Sequence, residues 1–166
     1  MLILDATPLI YLAKSDGVKL LKELGEELVI PQKVFEEVVE KGLENDEPDA
    51  RKIQILVEND VFEVRNCELE GFLERNSNLS LADKQVLKIA DETGSAAVMD
   101  EAYGRRIAES EDIETRGTAY IVLKLQKLDI LTDEESKELI DELVDQGWCC
   151  STSLYKDILN KIEEIN

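Results

Sequence analysis

The patterning of this chain predicts an α/β fold built on a mostly parallel central sheet. Short apolar runs of strand type, at residues 2–4, 27–30, 61–65 and 95–99, alternate with longer stretches whose apolar residues recur at helical spacing. Strands separated by helices are joined through crossovers, and crossovers make neighbouring strands parallel. With 166 residues and 43% apolar side chains, residues 1–166 read as one domain with enough material for a substantial core.

The first strand is predicted at Leu2–Leu4 and ends on Asp5. Thr7-Pro8 then reads as a helix start, with a hydroxyl N-cap and proline at the first helical position. That helix runs to about Lys14, and a second covers 18–24. The ELVI strand is followed by Pro31, which opens a helix, PQKVFEEVVEKG, that stops at Gly42. A polar loop around 45–48 leads to a helix over 49–58 and the strand VFEVR. After a short acidic helix, Leu81, Val86, Leu87, Ile89 and Ala90 mark a helix that Gly94 ends. The strand at 95–99 is followed at once by Asp100 and Glu101. A helix through Arg105 and Arg106, a weak strand at 112–116, and helices over about 117–128, 133–146 and 152–164 complete the chain. Thr132 and Glu135 have capping-box spacing.

Composition narrows the chemistry. The chain has no histidine, and its three cysteines lack CxxC spacing, which excludes the usual zinc sites and histidine-dependent nucleophilic catalysis. Cys149 and Cys150 read as small packing residues. The net charge of −19 opposes unaided binding of nucleic acid and suits a hard cation or a basic protein partner. No apolar stretch approaches the ~20 residues of a membrane span, and no signal-peptide pattern opens the chain, so a cytoplasmic location is expected.

In parallel sheets ligands bind beyond the carboxyl ends of the strands, which is where Asp5 and Asp100 fall. A carboxylate ending an apolar strand costs free energy unless it is hydrogen-bonded, paired or metal-bound. Because Thr7 takes the cap role in this reading, Asp5 is left for function. Thr7 also occupies the position where a DxD-type phosphatase needs its second aspartate. Phosphate-cradling GxxxxGK[ST] and GxGxxG loops are absent.

Four stretches in order, LILDATPLI, IPQKVFEEV, LSLADKQVLKIA and AAVMDEAYGRRIA, resemble the four motifs of the PIN-domain ribonucleases, the family that includes VapC-like toxins. The tail from Gly117 to Trp148 is similar to a prokaryotic PIN subfamily distinct from the best-known toxins. The resemblance implies a three-layer α/β/α fold and a metal-dependent endoribonuclease. It also implies an acidic pocket in which Asp5, Glu37, Asp83 and Asp100 hold Mg²⁺ or Mn²⁺. Thr7 is implied beside that pocket, and Glu101 competes with Asp100 for the fourth acidic position. Water activated by the ion would attack an RNA phosphodiester. Arg105 and Arg106 are candidates for phosphate contact. The expected partners are an RNA substrate, an antitoxin protein and a second copy in a homodimer. The competing expectation, motivated by the charge, is a PIN-like protein-binding module with little or no catalysis.

Overall fold

A computed structural model describes residues 1–165, with the side chain of Phe72 left aside. Five parallel strands form its sheet: β1 (Leu2–Leu4), β2 (Leu28–Pro31), β3 (Glu63–Arg65), β4 (Ala96–Val98) and β5 (Thr115–Arg116), in the order β3-β2-β1-β4-β5. Strands β1, β2 and β4 are buried throughout, as their uninterrupted apolar sequences require of the middle of a parallel sheet. The edge strands β3 and β5 are short and carry charged residues, which discourages further pairing.

Helices surround the sheet in a three-layer α/β/α arrangement. Helix α1 (Ala6–Lys14) packs with α4 (Pro48–Glu58) and with a 3₁₀ segment at Gly17–Leu24. Helix α6 (Leu81–Thr93) lies on β1, β2 and β4, burying Val86, Leu87, Ile89 and Ala90 as its periodicity predicts. Between β2 and α4 the backbone is helical over residues 32–44. This stretch comprises α2 (Gln32–Phe35), a π-helical segment at Glu36–Glu40, and α3 (Lys41–Glu44). Gly42 therefore does not end the helix: it passes so close to α4 that an added Cβ would lie 2.6 Å from the Ala50 Cβ. A short helix α5 (Gly71–Arg75) precedes α6, and α7 (Ala102–Ser110) joins β4 to β5. The chain closes with α8 (Thr118–Lys127), α9 (Asp133–Asp145) and α10 (Thr152–Glu164).

Two local expectations need correction. The N-cap of α1 is Asp5, whose Oδ1 accepts from the Ala6 amide at 2.8 Å; Thr7 already lies inside the first turn. A helix that starts two residues early exposes its first amides to the carboxylate ending β1, and Asx residues are strong caps. Cys149 is exposed, and only Cys150 turns partly inward against the core. The Thr132–Glu135 capping box forms as the spacing predicts.

Strand order decides where a ligand would sit. From β1 the chain builds outward through β2 and β3, then crosses back to place β4 on the other side of β1. The point of reversal lies between β1 and β4, where loops leave in opposite directions and open a crevice. Leu4 pairs in register with Val98, so Asp5 and Asp100 leave adjacent strands at one edge of this crevice. The Asp5 amide donates to the Val98 carbonyl at 3.0 Å, which ties the two strand ends together.

Candidate active site: an acidic pocket at the switch point

Asp5 is the buried member of the acidic group. Only 5% of its surface is exposed, although it is a carboxylate. Its carboxyl is pushed up to about 7, chiefly by burial, and further by Asp83, Glu37 and Asp100; the Ala6 amide opposes the rise. The same three acids were expected from the motifs. Their fields converge on Asp5 although they come from the π segment after β2, the start of α6 and the end of β4.

Each acid is aimed by its own local device. Asp83 forms a reciprocal capping box with Ser80. Its Oδ2 accepts from the Ser80 amide at 3.0 Å and the Ser80 hydroxyl at 2.6 Å, while its own amide donates to Ser80 Oγ at 3.0 Å. Helix capping and a role in the pocket are thus compatible, because Oδ1 accepts no hydrogen bond from the described residues. Glu37 sits in the π-helical segment, where one widened turn re-aims a side chain without ending the helix. Its neighbour Glu36 is held by Lys33 and Gln32, whereas Glu37 is exposed and makes no hydrogen bond or ion pair among the described residues.

Gln85 registers two of these elements. Its buried amide oxygen accepts from the Lys33 amide at 2.8 Å, while its nitrogen donates to Asn66 Oδ1 at 2.9 Å and to the Cys67 carbonyl at 3.3 Å. It therefore locks α2, which leads to Glu37, against α6, which carries Asp83.

Asp100 is the most firmly held. Its Oδ1 accepts from the Thr118 amide at 2.8 Å. Its Oδ2 accepts from the Thr118 hydroxyl at 2.6 Å and from the Trp148 indole at 3.0 Å. Gly117 makes this approach feasible: a Cβ there would stand 3.1 Å from Asp100 Oδ1. Thr118 and Trp148 are buried, and neither was anticipated from sequence. Two signals were available for them. Gly-Thr directly follows β5 at the functional edge of the sheet, and a buried tryptophan N–H needs an acceptor.

Glu101 does not join this group. It is exposed and caps α7, accepting from the Gly104 amide at 2.5 Å. Thr7 is half-buried, and its hydroxyl makes no hydrogen bond among the described residues.

The donor set suits a hard divalent cation: carboxylate oxygens only, one of them buried, with mutual repulsion that a cation relieves. Asp5 Oδ2, Asp83 Oδ1 and both Glu37 oxygens accept no hydrogen bond from the described residues. Yet among the described residues no three acidic or cysteine side chains already stand close enough to hold a metal ion. Metal-binding geometry would therefore require side chains to move, and Glu37, which has no hydrogen bond or ion pair among the described residues, is the least constrained of the four.

No helix among the described residues is long and apolar enough to cross a membrane. No curated protein matches the chain. The sequence profile of the PIN domain matches residues 1–164, a family generally of nucleases, so the fold, the order of the acidic motifs and the profile agree. The chain belongs to the PIN-domain family.

Proposed function

We propose that this protein is a Mg²⁺- or Mn²⁺-dependent endoribonuclease. The observation that carries the reading is the burial of Asp5 at the β1/β4 switch point with Glu37, Asp83 and Asp100 acting on it electrostatically. Such a group is unfavourable by itself, because burial and like charge both disfavour its ionised form. The pocket is best explained as a cation site whose charge is completed on loading.

Asp5, Glu37, Asp83 and Asp100 would hold the ion. The bound ion would supply an activated water and neutralise charge on the phosphodiester. The protein contributes the arrangement. Asp5 is fixed by the Ala6 amide, Asp100 is clamped by Thr118 and Trp148, and Gln85 sets the spacing between the elements bearing Glu37 and Asp83. Thr7, in the first turn of α1, is assigned to the rim of the pocket, and Glu101 to capping α7 rather than to the ion. A toxin role, an antitoxin and a homodimer are compatible extensions of this reading, each requiring a partner to be found.

The test is cleavage of a broad RNA panel with Mn²⁺, with chelator and with the Asp5→Asn protein. Mn²⁺-dependent cleavage, lost in Asp5→Asn while the variant stays folded, is expected. Equal cleavage in all three conditions, or none by the wild type, removes the reading.

The net charge of −19 supports a second reading, a protein-binding module that keeps the acids but acts through a basic partner. A stable complex combined with absence of metal-dependent cleavage would favour it.

A further inference from the structure

A strongly acidic nuclease must approach a polyanion, so its few unneutralised cations matter. Ion pairs engage Lys19, Lys22, Lys33, Lys52, Arg65, Lys88, Arg116, Lys124 and Lys137. Among the described residues, Arg105 and Lys161 are two of several bases with neither an ion pair nor a side-chain hydrogen bond. Both line one groove, together with Arg116.

This groove, of about 370 Å³, opens beside the acidic pocket and shares Asp100 and Trp148 with it. Its volume falls within the ~300–1,000 Å³ range of small-molecule sites. Arg105 comes from α7, Arg116 from β5 and Lys161 from α10. Arg116 is paired with Glu114, so Arg105 and Lys161 balance the two carboxylates, Asp100 and Asp157, and leave the groove near neutral on a chain of −19. Its remaining wall is apolar, formed by Tyr120, Leu123 and Leu154, the last 42% exposed. The Arg116 guanidinium lies 5.3 Å from the centre of the Tyr120 ring, giving the wall a cationic edge.

We propose that this groove is a nucleotide subsite for the strand flanking the cleaved linkage. One phosphate is received by Arg105 and Lys161, and the adjoining base lies against Tyr120, Leu123 and Leu154. The proposal rests on the ribonuclease reading and deepens it. It supplies the cationic counterpart that the acidic pocket lacks, and it gives the terminal helix α10 a role in substrate binding. Cation–phosphate pairing with an aromatic or apolar platform is the combination by which proteins hold single strands.

The test is fluorescence anisotropy with a labelled single-stranded 12-nucleotide RNA, in chelator so that no cleavage occurs, over a salt series. Each of Arg105→Gln and Lys161→Gln should weaken binding about tenfold. Each should also flatten the plot of log affinity against log salt by about 0.7 per lost phosphate contact. Lys156→Gln, on the same helix but outside the groove, is the charge control and should leave affinity unchanged. Thermal melts of each variant establish that folding is intact. Wild-type affinity and salt slope in both groove variants would overturn the subsite, as would an equal loss in Lys156→Gln. If the wild type bound no RNA at all, the ribonuclease reading would fall with it. If the wild type bound and cleaved RNA while the groove variants bound normally, the subsite alone would fall.

Discussion

Replacing Asp5 by asparagine should stabilise the metal-free protein at pH 8 and bring no gain at pH 4. The Asp5 carboxyl titrates near 7 in the folded chain against an ordinary value of 3.8, chiefly because it is buried. Between those values the folded state holds a proton that the unfolded state has lost. Stability therefore falls as pH rises from about 4 to about 7, and below that window the two states bind equally. At about 1.4 kcal/mol per pKa unit, the displacement costs the folded protein about 4 kcal/mol at pH 8. Asparagine removes the charge and keeps the acceptor that caps α1 through the Ala6 amide. Its NH₂ group needs a partner of its own, and if that takes about half of the gain, about 2 kcal/mol remains. For a chain of this size that corresponds to roughly 4–8 °C in melting temperature. The assay is thermal unfolding of both proteins in chelator across pH 4–8, repeated with Mn²⁺. The metal should raise the wild-type midpoint at pH 8 and leave that of the variant unmoved. A variant destabilised equally at both pH values would refute the argument, since Asp5 would then be an ordinary structural cap.

Three further outcomes follow from the supports around the pocket. Trp148→Phe keeps the packing of a buried ring but deletes its bond to Asp100, and should cost about 1.5–3 kcal/mol in chemical denaturation, with a parallel loss of cleavage rate. Gln85→Ala leaves the Lys33 amide without its acceptor. It should cost about 1–3 kcal/mol and weaken Mn²⁺ binding measured by calorimetry, whereas intact Mn²⁺ affinity would show that Gln85 does not space the acids. Ser80→Ala removes the hydroxyl half of the α6 cap and should cost about 1 kcal/mol while leaving Mn²⁺ affinity undiminished, because the residue-80 amide still orients Asp83 through Oδ2.

Much of the fold was readable because hydrophobic period and turn chemistry are local. The strands at β1, β2 and β4 and the helix α6 with its Gly94 end follow from spacing alone. The π-helical segment was invisible, since a widened turn leaves the apolar spacing of VFEEVVEKG nearly helical. The start of α1 was misplaced because Asp5 and Thr7 are both competent caps, and only the path of β1 into the helix selects between them. That choice matters: one buried carboxylate both caps α1 and carries the charge of the neighbouring acids.

By itself the sequence determined the acidic residue types, their order along the chain, and their positions at the ends of predicted strands and starts of helices. Those properties depend on neighbours within a few residues. Only the tertiary structure decided that β4 lies beside β1, that Asp100 adds to the negative charge acting on Asp5, and that Thr118 and Trp148 grip Asp100 from 18 and 48 residues away. These contacts arise from strand order and from the docking of the final helices. Packing across the whole chain sets both, and no local pattern encodes them.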